Sequence, residues 1–252
     1  MTTIPLPSRS IALRPLALPA EHGGWGFLLE PILVGMLVAP SWGGAFIAAA
    51  ALFGFLTRHP LKLAFQDAAR GKRYPRTFWC RALAASYLTA ALLSLSCAVA
   101  MSGTGMLVPF ALAMPFAALQ AWRDWKNHGR ELLAELSGAV AMASTVTAIA
   151  IAGGVGAAVS YGLAGIMIAR FAPAILYVRA LLGRLPAWCA WTAHFVALAA
   201  IASYARPLAV AAMVVLLMRA AWGLTHEPPP AKIIGWREIA FGVVTVVLVA
   251  IS

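Results

Sequence analysis

From residue 24 onward the chain is a succession of long apolar stretches broken by short polar ones. Nowhere does it alternate apolar and polar residues over ten-residue segments, as membrane β-barrel strands do. About twenty apolar residues are needed to cross a hydrocarbon core as a helix. On that ruler the pattern predicts nine helices, near 24–40, 42–66, 77–102, 103–122, 132–153, 156–183, 186–205, 206–224 and 236–252. Pro40-Ser41, Gly103 and Gly153-Gly154 mark the tightest connections, because such residues stop or turn a helix. HEPPPAKIIGW at 226–236 reads as a stiff proline-rich link before the last helix. Residues 1–20 hold Arg9, Arg14 and several prolines, but no apolar core or small-residue cleavage site. They read as a short cytosolic tail, and residues 21–252 as a single transmembrane domain, an all-α polytopic bundle.

Composition removes the soluble alternatives. The chain is 62% hydrophobic and 11% charged, with a mean hydropathy of +0.86, whereas soluble domains carry about a quarter charged residues. The net charge of +11 does not mark a nucleic-acid binder, because the 19 Lys and Arg residues fall between apolar runs and form no basic soluble domain. With the tail inside, every one of them except Arg206 lies on the cytosolic side or in the adjoining half-membrane. That is the positive-inside pattern, and it predicts a bacterial-type inner membrane protein with its N-terminus cytosolic and its C-terminus outside. Trp25, Trp79, Trp122, Trp125, Trp188 and Trp236 fall at cytosolic helix ends as an interfacial belt, and Gly162 and Gly165 suit close helix packing. Cys80, Cys97 and Cys189 have no paired spacing, which argues against a disulfide framework or a thiolate metal site.

The ionisable residues change the picture most. All eight acids fall in the cytosolic half of this topology. Asp124, Lys126, Arg130, Glu227 and Glu238 read as loop or helix-end charges in water. Glu30, Glu135 and Arg170 sit deeper; at ~1.5 Å per residue Glu30 is roughly 10 Å inside its helix and Arg170 roughly 20 Å from the outer end of its own. An intramembrane charge costs at least ~2.5 kcal/mol, so several in one bundle must pair or line a wet cavity. The sequence therefore predicts a cytosol-facing cavity walled by Arg58, His59, Lys62, Arg170, Tyr177 and Arg179. Glu30, Asp67, Glu131 and Glu135 are its counter-charges, and Glu21 and His22 stand at its mouth. An excess of guanidinium groups suits a phosphate or carboxylate ligand; the plainer alternative is that these residues only lock helices together as buried ion pairs. His22 and His59 lack the i, i+3 or i, i+4 acid pairing of helical metal ligands and His128 has only Asp124 and Glu131 at that spacing, so no metal site is assigned to them.

Four blocks carry a resemblance: EHGGWGFLLEP at 21–31, RHPLKLAFQD at 58–67, GRELLAELSG at 129–138 and YVRALLGR at 177–184. Together they resemble the YwiC-like integral membrane proteins over nearly the whole chain. More distantly, nine helices with polar segments after the second and the sixth are similar to the UbiA-type intramembrane prenyltransferases. That likeness implies a UbiA-like helical arrangement and an enzyme, or a degenerate homologue, acting on an isoprenoid diphosphate held by magnesium on two aspartate-rich motifs. Here the first motif falls on His59, Pro60, Leu63 and Asp67, with Arg76-Thr77 downstream, so only Asp67 is retained. Arg179 and Arg184 stand where the second motif has acids. One aspartate cannot organise two Mg²⁺ ions, so the expected ligand is an anionic lipid or isoprenoid head neutralised directly by Arg58, Lys62, Arg170 and Arg179. A small-anion transporter or a non-catalytic membrane scaffold is the alternative.

Overall fold

The computed structural model describes residues 12–19, 22–71, 74–204 and 206–252. A single turn, α1 (Arg14–Ala17), precedes nine longer helices: α2 (His22–Val38), α3 (Trp42–Ala69), α4 (Pro75–Ser102), α5 (Val108–Trp125), α6 (Leu132–Ala152), α7 (Ala157–Leu181), α8 (Ala187–Ala202), α9 (Pro207–Thr225) and α10 (Ala231–Ala250). The described residues contain no strand. The all-α polytopic bundle expected from the hydropathy pattern is the fold observed.

Helix ends follow local chemistry. Ser41 precedes α3 and its hydroxyl accepts the Gly44 N–H at 2.9 Å, satisfying a donor that the first turn leaves open. Pro75 and Pro207 occupy first-turn positions where a missing N–H costs nothing. Gly103 (φ 75°) ends α4 and Gly183 (φ 68°) follows α7, both in the left-handed region that side-chain-bearing residues avoid. Most boundaries fall within about three residues of the sequence expectation, and two differ more. A 3₁₀ turn at Gly105–Leu107 delays α5 to Val108. The last helix begins at Ala231, directly after the prolines, because Lys232, Arg237 and Glu238 lower the hydropathy of its first turns without breaking the helix. Glu238 therefore sits inside α10.

Seven helices, α3 to α7 with α9 and α10, are long and apolar enough to cross a membrane. α2 (17 residues) and α8 (16 residues) are apolar but fall short of that length. At ~1.5 Å per residue they reach roughly 25 Å of a hydrocarbon layer of about 30 Å.

α6 is the axis of the bundle. Ala143 to Ala150 are buried on every face, against α2, α3, α5 and α7. Such all-round burial needs a small cross-section, and Ala, Ser and Thr supply it. Thr147 donates to the Ser160 carbonyl of α7 at 3.0 Å, fixing the two helices at one depth. α7 continues the core toward α8 and α9, and α10 closes it by packing between α2 and α9. Phe27 meets Phe171 edge-on at 4.8 Å in the same core. α4 packs mainly on α3, and α5 mainly on α6; both present most of their apolar surface outward.

Close approach of α2 to α6 depends on Gly35, where an added Cβ would fall 2.8 Å from Ile149. At Gly54, mid-α3, the same Cβ would meet nothing within 4 Å. Gly35→Ala should therefore destabilise the bundle by about 1–3 kcal/mol. Gly54→Ala should stabilise it by up to ~1 kcal/mol through helix propensity. Thermal unfolding of the two variants in one detergent, giving shifts of opposite sign, checks this.

Candidate functional site

The deepest feature is a chain of alternating charges. Arg170 of α7, 2% exposed, faces Glu30 of α2 with its Nε 3.4 Å from Oε2 and its Nη2 3.4 Å from Oε1. Its Nη1 lies 3.4 Å from Oε2 of Glu238 on α10, and its Nη2 donates to the Glu238 backbone carbonyl at 3.0 Å. Arg219 of α9 donates through Nη1 to both carboxylate oxygens of Glu238. The Nη2 of Arg219 lies 3.0 Å from His194 Nε2 on α8, while His194 Nδ1 lies 2.7 Å from the Ala190 carbonyl. A carbonyl and a guanidinium fix the tautomer between them: Nδ1 carries the proton and Nε2 accepts. The Arg219 guanidinium also covers the Tyr177 ring at 4.0 Å. Five helices are thus tied by Glu30, Arg170, Glu238, Arg219 and His194. Space for the Glu30 carboxylate comes from Gly242, where a Cβ would fall 2.2 Å from Oε1.

Beside this chain lies a cavity of about 500 Å³. Its walls come from the beginnings of α2, α6 and α10, the second half of α3 and the end of α7, so it belongs to one end of the bundle. Glu30, Arg170 and Glu238 lie at its depth, eight, eleven and seven residues from the near ends of their helices, or roughly 10–16 Å. Arg58, Arg130, Glu135, Arg179 and Arg184 also line it, as do the apolar side chains of Phe27, Phe55, Met142, Ile175 and Ile239. All four sequence blocks contribute: Gly23 to Glu30 from the first, Arg58 from the second, Gly129 to Gly138 from the third, and Val178 to Arg184 from the fourth.

Of the six cations and polar groups expected on its walls, Arg58, Arg170 and Arg179 line the cavity; His59, Lys62 and Tyr177 do not. His59 donates to the Pro15 carbonyl at 3.0 Å, and Tyr177 faces a second cavity beyond α10. Among the counter-charges Glu30 and Glu135 line it, the latter held by Arg179 Nε at 2.8 Å. Glu131 instead pairs with Arg123 and His128 at the exposed surface. Asp67 is fully buried but accepts from Arg76 at 2.6 and 3.1 Å and from Thr77 at 2.8 Å, clasping α3 to the start of α4. Glu21 and the side chain of His22 lie outside the described residues.

Two residues expected in water are not there. Asp124 is 6% exposed and accepts from Arg58 and, at 3.3 Å, from Lys62. Residue 129 must be glycine for this, since a Cβ there would strike Oδ1 of Asp124 at 1.8 Å. Glu238 is drawn into the ion chain, because a helix starting at Ala231 turns it inward. Lys126, Arg130 and Glu227 are exposed, as read from the sequence. The sequence reading also missed Arg219, and it named Arg184 at the second motif without placing it on the cavity walls. Arg219 stands alone in an apolar run, a signal as strong as that of Arg170.

A family model described as YwiC-like protein matches residues 18–150, more than half of the chain. The chain belongs to the YwiC-like family. No curated protein and no solved structure matches it. The matched segment carries three of the four blocks around the cavity, while the α7 block lies beyond it. Magnesium on an aspartate cluster, as the UbiA-type resemblance implies, does not fit these residues. The one retained aspartate has its oxygens taken by Arg76 and Thr77, and among the described residues no three His, Cys, Asp or Glu groups are placed to share a metal ion.

Glu238→Gln leaves two buried guanidinium groups short of one carboxylate and should cost about 3–5 kcal/mol. Glu131→Gln, at a pair whose carboxylate side chain is 46% exposed, should cost no more than about 1 kcal/mol. Denaturation midpoints of the purified variants distinguish the two.

Proposed function

We propose that this multi-pass protein binds an amphiphile with an anionic head, a lipid or isoprenoid phosphate, in the first cavity, with the head among the arginines and the tail along the apolar walls. What carries this reading is Arg184. It lines the cavity yet makes no ion pair among the described residues, whereas each acid on the walls is already engaged. Glu135 is met by Arg179, Glu30 by Arg170, and Glu238 by Arg170 and Arg219. With Arg58 taken by Asp124 and Glu238 shared with Arg219, Arg184 is a wall cation that no described acid neutralises. Guanidinium forks answer phosphate oxygens bidentately without a metal. In this reading the cavity end of the bundle faces the cytosol across a bacterial-type inner membrane, an orientation that the positive-inside distribution of Lys and Arg supports. Phe27, Phe55, Met142, Ile175 and Ile239 supply the matching apolar surface. The distant sequence resemblance to the UbiA-type prenyltransferases points to the same ligand class, with binding rather than metal-assisted transfer as the proposed activity.

Extraction of the purified protein followed by mass spectrometry should recover a phosphate-headed amphiphile enriched over bulk lipid. Arg184→Gln, which strands no partner, should lower its occupancy roughly tenfold, the loss of about one charge-assisted hydrogen bond. A profile equal to bulk lipid, unchanged by that substitution, overturns the reading.

A further inference from the structure

The second cavity, of about 490 Å³, lies between α7, α9 and α10, and shares only Ile234 and Glu238 with the first. Three donors on its walls are unmet by protein acceptors. Arg219 is 8% exposed, and although its Nη atoms are spent on Glu238 and His194, its Nε has no hydrogen-bond partner. Tyr177 is 6% exposed and its hydroxyl makes no hydrogen bond among the described residues; it rests against Gly223, where a Cβ would come within 2.0 Å of the oxygen. Arg237 lines the wall and makes no ion pair among the described residues. The two acids on the walls do not answer them: Glu238 is held by Arg170 and Arg219, and Glu227 lies at the exposed rim.

The Tyr177 hydroxyl opens into the hollow without a protein acceptor and the exposed Arg237 lines the same hollow, so the two offer donors to acceptor oxygens there, whereas Arg219 Nε is sealed from it. The walls are also stiff. Arg219 is clamped between Glu238 and the Tyr177 ring, and Trp222 stacks on His226 at 4.0 Å with 15° between planes. Donors held this way lose little freedom on meeting a ligand.

We infer that the second cavity is a separate oxyanion site, taking a phosphate or carboxylate group on the Tyr177 hydroxyl and Arg237, with the Arg219 guanidinium packed behind the Tyr177 ring. It draws on a different arginine from those of the first cavity and stands independently of that reading. Glu238 forms the wall between the two.

The test is calorimetric titration of inorganic phosphate into the full chain in phosphatidylcholine nanodiscs. Two classes of site are expected. Tyr177→Phe combined with Arg237→Gln should weaken one class roughly tenfold and leave the other, whereas Arg184→Gln should do the converse. Gly223→Ala, which pushes the Tyr177 hydroxyl aside without altering any charge, should act like the first pair; equal melting temperatures certify the fold of each variant. Nanodiscs containing phosphatidylglycerol separate the sources: loss of the second class there makes a lipid head the natural occupant, and its persistence makes it a soluble oxyanion. A single class abolished by Arg184→Gln, or a second class indifferent to both cavity-two variants, overturns the inference. Loss of only the first class in the native chain sinks the proposed function and leaves this site standing.

Discussion

The structure depends on one carboxylate placed between two buried guanidinium groups. Glu238 receives Arg170 from α7 and Arg219 from α9, and through them Glu30 on α2 and His194 on α8. In a hydrocarbon setting none of these charges is tolerable alone. Their mutual pairing turns a set of liabilities into a constraint on how five helices assemble. Apolar packing offers many near-equivalent rotations and depths between helices surrounded by lipid. An alternating ion chain accepts far fewer, since a helix slipped by one turn strands a charge.

Around that chain the packing is ordered by size. α6 is buried on all sides because its residues are small, and α2 comes close to it only because Gly35 has no side chain. α4 and α5, with bulkier outward faces, form the periphery. The cavity is what remains where small residues at the ends of α2 and α6 meet the long arginines of α7. Its walls accordingly interleave apolar side chains with the ion chain at its depth and with further arginines toward the helix ends.

Much of the fold was legible in the sequence, since apolar run length sets helix number and Gly and Pro set the breaks. Legibility failed where charge diluted hydropathy. Lys232, Arg237 and Glu238 hid the first turns of α10, so the residue that ties the bundle together read as a surface charge. Asp124 failed similarly, because a helix-end position does not disclose that Arg58 and Lys62 reach it from α3. For the site, Glu30, Arg170 and Arg179 were found by their depth or spacing. Lys62 does share the α3 face of Arg58, four residues earlier, but its side chain ends on Asp124, while Asp67, read through the motif resemblance, is closed off by Arg76 and Thr77.

The ion chain is also self-cancelling. Glu30, Arg170, Glu238 and Arg219 carry equal numbers of opposite charges, so at a distance their fields nearly vanish. A solute approaching from the aqueous phase senses instead the charge nearer the opening that no described acid balances, that of Arg184. Under the proposed reading capture and seating fall to separate groups: the rim would set how often an anion arrives and how strongly ionic strength slows it, and the interior how long it stays.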